Sequence, residues 1–210
     1  MNFSELQREV KALVMDQSAS ILITIPDVIN EAVQQVAEEI ILPSLKTLFT
    51  VTTSTSVFYV NFPSGFSGRL RYIGDTEGAM SLLDGGLEQL VIKHPDVTVV
   101  GDIEDLAQEG NILYYLPIPS TAKSLTCIGY NNPATLVNDT DTPSDIPEMI
   151  HRETICFKAA SILYAAIEDG VEGEKVNTVL FNGLAEKGMA KLSAWAHRRR
   201  SNVGTSVWSQ

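Results

Sequence analysis

From Ile155 to Ile167 only Lys158 and Ser161 interrupt a run of apolar residues. A helix that is apolar on nearly all sides has to be enclosed by the rest of its fold. The run is too short to cross a bilayer, which takes roughly 18 or more apolar residues, and no other window of the chain approaches that length. Covering elements must therefore come from elsewhere in the chain. Phe3, Leu6, Val10, Leu13 and Val14 recur at helical spacing, with Glu5, Gln7, Arg8 and Glu9 opposite, which predicts a first amphipathic helix. A second is predicted to begin at Thr24-Ile25-Pro26-Asp27, where a hydroxyl and an early proline mark a start. Its face is Ile29, Val33, Val36, Ile40 and Ile41, and Pro43 bends or ends it. The enclosed helix itself should open at Asp145-Ile146-Pro147-Glu148, with Asp145 as the capping carboxylate, and stop at Glu168-Asp169-Gly170. Its antiparallel partner is expected over Glu174 to Arg200, striped by Val176, Leu180, Leu184, Met189, Leu192 and Trp195.

Between Val51 and Tyr130 the period changes. Val57 to Phe62, Arg69 to Ile73, Leu90 to Val97, Ile112 to Ile118 and Leu125 to Ile128 read as short strands, broken by Pro63-Ser64-Gly65, Gly74-Asp75, Gly85-Gly86 and Pro119-Ser120. Asp102 to Gln108 reads as a short helix across one end. Strands that follow one another without long helices between them predict an antiparallel meander in a small sandwich or partly closed barrel. The expected class is α+β. The predicted organisation is N-terminal helices over 1–50, an antiparallel β domain over 51–135, a helix hairpin over 136–200 that completes the helical core, and an extended tail over 201–210 anchored by Trp208.

Twenty-six acids against fifteen bases leave a formal charge of −11. Between Asp75 and Glu109 stand nine acids and one base, Lys93. Phosphate binding needs clustered cations that displace counterions, so most of this surface repels nucleic acid. Cys127 and Cys156 lack C-x-x-C spacing and sit in apolar segments, which predicts buried free thiols. The acidic N-terminal segment has no secretory pattern, so a soluble protein made in the cytoplasm is expected.

No catalytic, cofactor or metal constellation emerges. His94, His151 and His197 lack a second His or Cys at ligand spacing. The loop from Asn138 to Asp145 resembles a calcium loop only superficially: counted from Asp139, the sixth position is Ser144 and the twelfth is Ile150. The Gly170 to Lys175 segment lacks the order that cradles phosphates. Two features read as contacts. Arg198, Arg199 and Arg200 suit a helix C-terminus, and they equally suit an acidic partner subunit or packaged DNA. Trp208, beyond the last helix, has the character of an interface anchor.

From Ile112 to Ala196 the order of pieces resembles the head–tail connector (adaptor) proteins of tailed bacteriophages. The pieces are Leu116-Pro117-Ile118-Pro119, the strand Leu125 to Tyr130 followed by Asn132-Pro133, the turn Pro143-Ser144-Asp145-Ile146-Pro147, the Ala-rich helix ending at Gly170, and the helix opening Lys175-Val176-Asn177-Thr178. Ile29-Asn30-Glu31-Ala32 and Phe62-Pro63-Ser64-Gly65-Phe66 are similar in outline. The resemblance implies a non-enzymatic virion neck protein without cofactors. It would form a ring of about twelve copies between the portal and the tail or stopper proteins, around a channel for double-stranded DNA. Arg198, Arg199, Arg200 and Trp208 would then meet the portal or a neighbour, and Asp102, Glu104, Asp105 and Glu109 would form an acidic channel or surface. A stopper or tail-completion protein, a β-sandwich binding module and a small hydrolase stay open as alternatives.

Overall fold

The structure, a computed structural model, describes residues 1–14, 18–168 and 175–201; the side chains of residues 19, 200 and 201 are not described. Its five α-helices and two small antiparallel sheets make an α+β fold, arranged as two compact units. One comprises Met1–Leu45 and Pro133–Gln210, the other Lys46–Asn132.

In the helical unit, α1 (Phe3–Leu13) starts with a capping box: Asn2 Oδ1 accepts from the Glu5 amide and Glu5 Oε2 from the Asn2 amide, each at 2.9 Å. Phe3, Leu6 and Val10 are buried. The second helix, α2, spans Ala19–Glu39 and not the expected start at Thr24. Apolar Ile21, Leu22 and Ile25 pack into the core and carry the helix past Pro26, offsetting the lost backbone donor and the crowding of the carbonyl four residues back. Four residues on, Asn30 ties the returning chain to α2: Oδ1 accepts from the Leu136 amide at 2.8 Å and Nδ2 donates to the Leu136 carbonyl at 3.0 Å. Ile29, Val33 and Val36 are buried as expected, whereas Ile40 and Ile41 lie past the helix end and are only partly buried.

The enclosed helix departs from expectation at its start. Asp145 caps nothing; a 3₁₀ turn, Glu148–Ile150, leads into a π-helical turn, Arg152–Cys156, and then into α4, Phe157–Ile167. The buried His151 ring anchors this start by donating Nε2–H to the Ile146 carbonyl at 2.8 Å. The Thr154 hydroxyl takes the Ile150 carbonyl at 2.7 Å, which loosens the regular ladder at the wide turn. Ile155, Cys156, Ala159, Ala160 and Leu163 are fully enclosed.

Helix α5, Val176–Ser201, runs antiparallel to α4, since Ser161 meets Thr178 while Glu153 meets Lys191. Its inner face differs from the expected stripe. Ala185, Met189, Leu192 and Ala196 are buried, while Val176 and Leu180 point to solvent. The reason is Gly188: a Cβ there would run into the Glu153 carbonyl, so this glycine lets α5 close against the π turn and sets which face looks inward. Glu168, beyond the end of α4, caps α5 by accepting from the Asn177 and Thr178 amides at 3.0 and 3.1 Å and from the Thr178 hydroxyl at 2.6 Å. Asp169, Gly170 and the tail from 202, with Trp208, lie outside the described residues.

The other unit holds two three-stranded antiparallel sheets. One has the order β1 (Lys46–Thr52), β6 (Ser124–Asn131), β3 (Phe66–Gly74); the other has β2 (Tyr59–Asn61), β5 (Ile112–Leu116), β4 (Asp105–Glu109). Strand β1 begins before Val51, ahead of the expected β region. The expected strand Leu90 to Val97 is instead α3, Gly86–Lys93. Gly86, at φ +62, lets the chain turn into that helix, and Leu87 and Leu90, three apart, give it an inward side. The expected helix over Asp102 to Gln108 is strand β4, drawn into a hairpin with β5 by a two-residue turn at Gly110, φ +54.

Alternation along β5 separates this unit into layers. Leu113 and Tyr115 pack with Leu106 against Val51, Ile73, Leu125 and Cys127 of the first sheet. Tyr114 and Leu116, on the opposite face, pack with Ala107 against Leu90 of α3. The order is therefore first sheet, second sheet, helix α3. Tyr115 is fully buried, and its hydroxyl accepts from the Ser54 amide at 2.6 Å.

Candidate functional site

At the C-terminal end of α5, Trp195 is partly buried and the Arg199 guanidinium lies 5.0 Å over its ring. Arg198 is exposed; the Arg200 side chain is outside the described residues. Beside Trp195 and Arg199 opens a cleft of about 700 Å³, floored by Ile146 and His151 and rimmed by Glu5, Glu148 and Met149, the last 86% exposed. Burial pushes the His151 imidazole below its ordinary pKa, outweighing the hydrogen bond to the Ile146 carbonyl and the nearby Glu148 charge. The ring is therefore neutral at physiological pH and holds the floor of the cleft by hydrogen bonding. The expected basic end of α5 thus has one arginine committed to an aromatic face, next to a wide, mixed-polarity depression.

The four acids singled out in the sequence have different environments. Glu104 and Glu109 are exposed, and Glu109 accepts from the Leu87 amide at the start of α3 at 3.0 Å. Asp102 is exposed and pairs with Lys123 at 3.0 Å. Asp105 is buried and does not belong to an open acidic surface: Lys93 Nζ meets Oδ1 at 2.7 Å and His94 Nε2 meets Oδ2 at 2.6 Å. Burial raises the Asp105 carboxyl, and the hydrogen bonds and charges of Lys93 and His94 together outweigh it, leaving its pKa below the ordinary carboxylate value. Sequence spacing hid this clamp, because its members come from the end of α3 and the start of β4.

Ligand atoms of His94, Glu104 and Asp105 lie within 4.8 Å of one another, the one such grouping of metal-capable side chains among the described residues. Both Asp105 oxygens are already engaged, one by an ammonium group, so the arrangement works as an ion-pair clamp joining α3 to β4. The loop that resembles a calcium site is organised by itself: Asp141 Oδ2 accepts from the Val137 and Asn138 amides, both at 2.8 Å. Cys127 and Cys156 are buried free thiols. Burial raises them to about 11 and about 12, so neither supplies a thiolate nucleophile at neutral pH.

The larger unclaimed features are surfaces. On the outer face of the first sheet, Leu48 (69% exposed), Ile128 and Tyr72 form one cross-strand row, set by the pairing Leu48↔Ile128 and Tyr72↔Ile128. On α3, Ile92 is 71% exposed and Val91 lies beside it. Along α5, Val176, Val179 and Leu180 face outward. Exposed apolar residues on both units, beside carboxylates such as Asp105 and Glu168 held in structural clamps, suit contacts with other chains. The comparison with protein families agrees. The family model described as SU10 adaptor protein matches residues 1–207, and the chain belongs to that family of phage head–tail adaptors. It is accordingly a structural component of a phage virion that interacts with other head and tail proteins. A search of curated proteins finds no match. Among the described residues, no helix is long and apolar enough to cross a membrane.

Proposed function

We propose that the protein forms a ring between the portal of the phage head and the tail, docked on the portal and surrounding the path of the packaged DNA. The observation that carries this reading is the family match over residues 1–207. The charge balance supports it independently. At −11 overall, with acids concentrated between Asp75 and Glu109, the chain suits a wall along which DNA slides without being held. Among the exposed acids of that stretch, Asp102, Glu104 and Glu109 are the ones assigned to such a wall, and double-stranded DNA passes without sequence-specific contact. Arg198, Arg199, Arg200 and Trp208 are assigned to the portal or to a neighbouring copy. In a ring of about twelve copies each subunit repeats the same contact with the next. No enzymatic step is assigned to it.

Deleting residues 202–210 from the full chain tests the portal assignment. The truncated protein should keep its fold, as judged by circular dichroism, and lose binding to portal-bearing heads. Undiminished head binding by the truncated protein would sink the assignment of Trp208.

A further inference from the structure

The β-rich unit carries two exposed faces that complement one another. Its layers run first sheet, second sheet, α3, so the outer face of the first sheet and the outer face of α3 look away from each other. On the sheet face, the apolar row Leu48–Ile128–Tyr72 is rimmed by Lys46 at the start of β1 and by Arg71 in the irregular stretch of β3, both exposed. On the helix face, Ile92 and Val91 stand beside Glu88 on α3 and Asp84 just before it, both exposed. None of Lys46, Arg71, Asp84 or Glu88 has an ion-pair partner among the described residues. The two bases of this unit that lie outside β1 and β3, Lys93 and Lys123, are bound to Asp105 and Asp102. Lys46 and Arg71 therefore make the sheet face basic, and Asp84 and Glu88 make the helix face acidic.

We propose that the outer face of the β1–β6–β3 sheet docks onto the α3 face of a second copy of this chain, setting Leu48 and Tyr72 against Ile92 and Val91, and Lys46 and Arg71 against Asp84 and Glu88. This rests on the ring reading above and gives that ring its contact. Two different patches on opposite sides of a unit make a head-to-tail interface, which repeats from subunit to subunit and closes when the rotation allows. Like charges would meet if sheet faced sheet or helix faced helix, so the charge pattern also selects the order of assembly.

Cysteine cross-linking of the full chain, alone at high concentration and again on the portal ring, tests the contact. Cys127 and Cys156 are buried, so a short bis-maleimide should leave the unmodified protein unlinked. Leu48→Cys alone and Ile92→Cys alone should give no dimer. Their equimolar mixture should give a dimer, and the double variant a ladder rising by one subunit at each step. Lys46→Glu with Arg71→Glu should abolish the oligomer, and mixing that variant with Asp84→Lys plus Glu88→Lys should restore pairing. A dimer from Leu48→Cys alone would replace this contact with a two-fold one and overturn the proposal. If light scattering shows rings while the Leu48–Ile92 pair never links, the docking faces are wrong and the ring survives. A protein that stays monomeric with and without the portal removes both.

Discussion

The close approach of α5 to the π turn makes one substitution act in opposite directions at two positions of the same helix. Replacing glycine by alanine inside a helix ordinarily stabilises it by about 1 kcal/mol, because glycine loses more backbone entropy on folding. At Gly183 a Cβ meets nothing within 4 Å, so Gly183→Ala should realise that gain. At Gly188 the same Cβ lies 2.9 Å from Glu153 Cβ and closer still to the carbonyl carbon and oxygen of that residue. Those atoms are backbone of an enclosed helix and cannot swing aside. Overpacking of this kind costs about 1–3 kcal/mol, and a backbone clash belongs at the upper end. Subtracting the propensity gain leaves Gly188→Ala destabilised by about 2 kcal/mol. For a chain of this size each kcal/mol moves the midpoint by about 2–4 °C. Gly188→Ala should therefore melt about 4–8 °C lower and Gly183→Ala about 2–4 °C higher, as read by calorimetry and far-UV circular dichroism on the transition of the helical unit. Equal upward shifts for the two variants would mean that the Glu153 carbonyl does not lie against α5, and the packing account would fail.

Three further substitutions probe the clamps. The Thr178 hydroxyl, followed by the Thr178 and Asn177 amides, lowers the Glu168 carboxyl below its ordinary value. Its contribution is therefore present above about pH 4.3 and lost as pH falls through the folded pKa; Glu168→Ala should melt lower than wild type at pH 7, with the gap closing in acid. His151 is shifted the other way for its charge type: burial lowers it, the unfolded chain takes the proton first, and stability should decline as pH drops below about 6.5. His151→Gln should melt lower at every pH and show a flatter pH dependence between neutral and mildly acidic solution; an unchanged slope would place the titration elsewhere. Asp105→Asn strips the carboxylate from between Lys93 and His94 and should destabilise the β-rich unit by about 2 kcal/mol in urea unfolding, with the helical unit unaffected.

Much of the helical unit was legible in the sequence because its periodicity is carried by large apolar residues at 3.6 spacing. Phe3, Leu6 and Val10 of α1 are buried as that spacing predicts. The misreadings share a cause in tertiary context. Val91 and Ile92 carry β propensity, yet Gly86 and the packing of Leu90 on β4 and β5 make their segment a helix. Asp102 to Gln108 has polar residues at helix-like intervals, but hairpin pairing with β5 claims it as strand. Lys46-Thr47-Leu48-Phe49-Thr50-Val51 lacks apolar–polar alternation, its strand signal being only its β-branched and aromatic content, and the strand places Leu48 and Val51 on opposite faces. The π turn had no sequence signature beyond Thr154 and the distant Gly188. Among candidate contact residues, the exposure of Arg198 and Arg199 follows from their place past the last buried turn. The burial of Asp105 does not follow from its neighbours in sequence, and the apolar row Leu48–Ile128–Tyr72 exists only through pairing across three strands far apart in the chain.

The measurement closest to the central claim is the mass of the purified protein in solution, alone and then mixed with its portal ring. Assembly between head and tail predicts a discrete complex in which the added mass is a whole number of subunits matching a closed ring on the portal. A protein whose mass is the same with and without the portal would contradict the ring and the portal docking together.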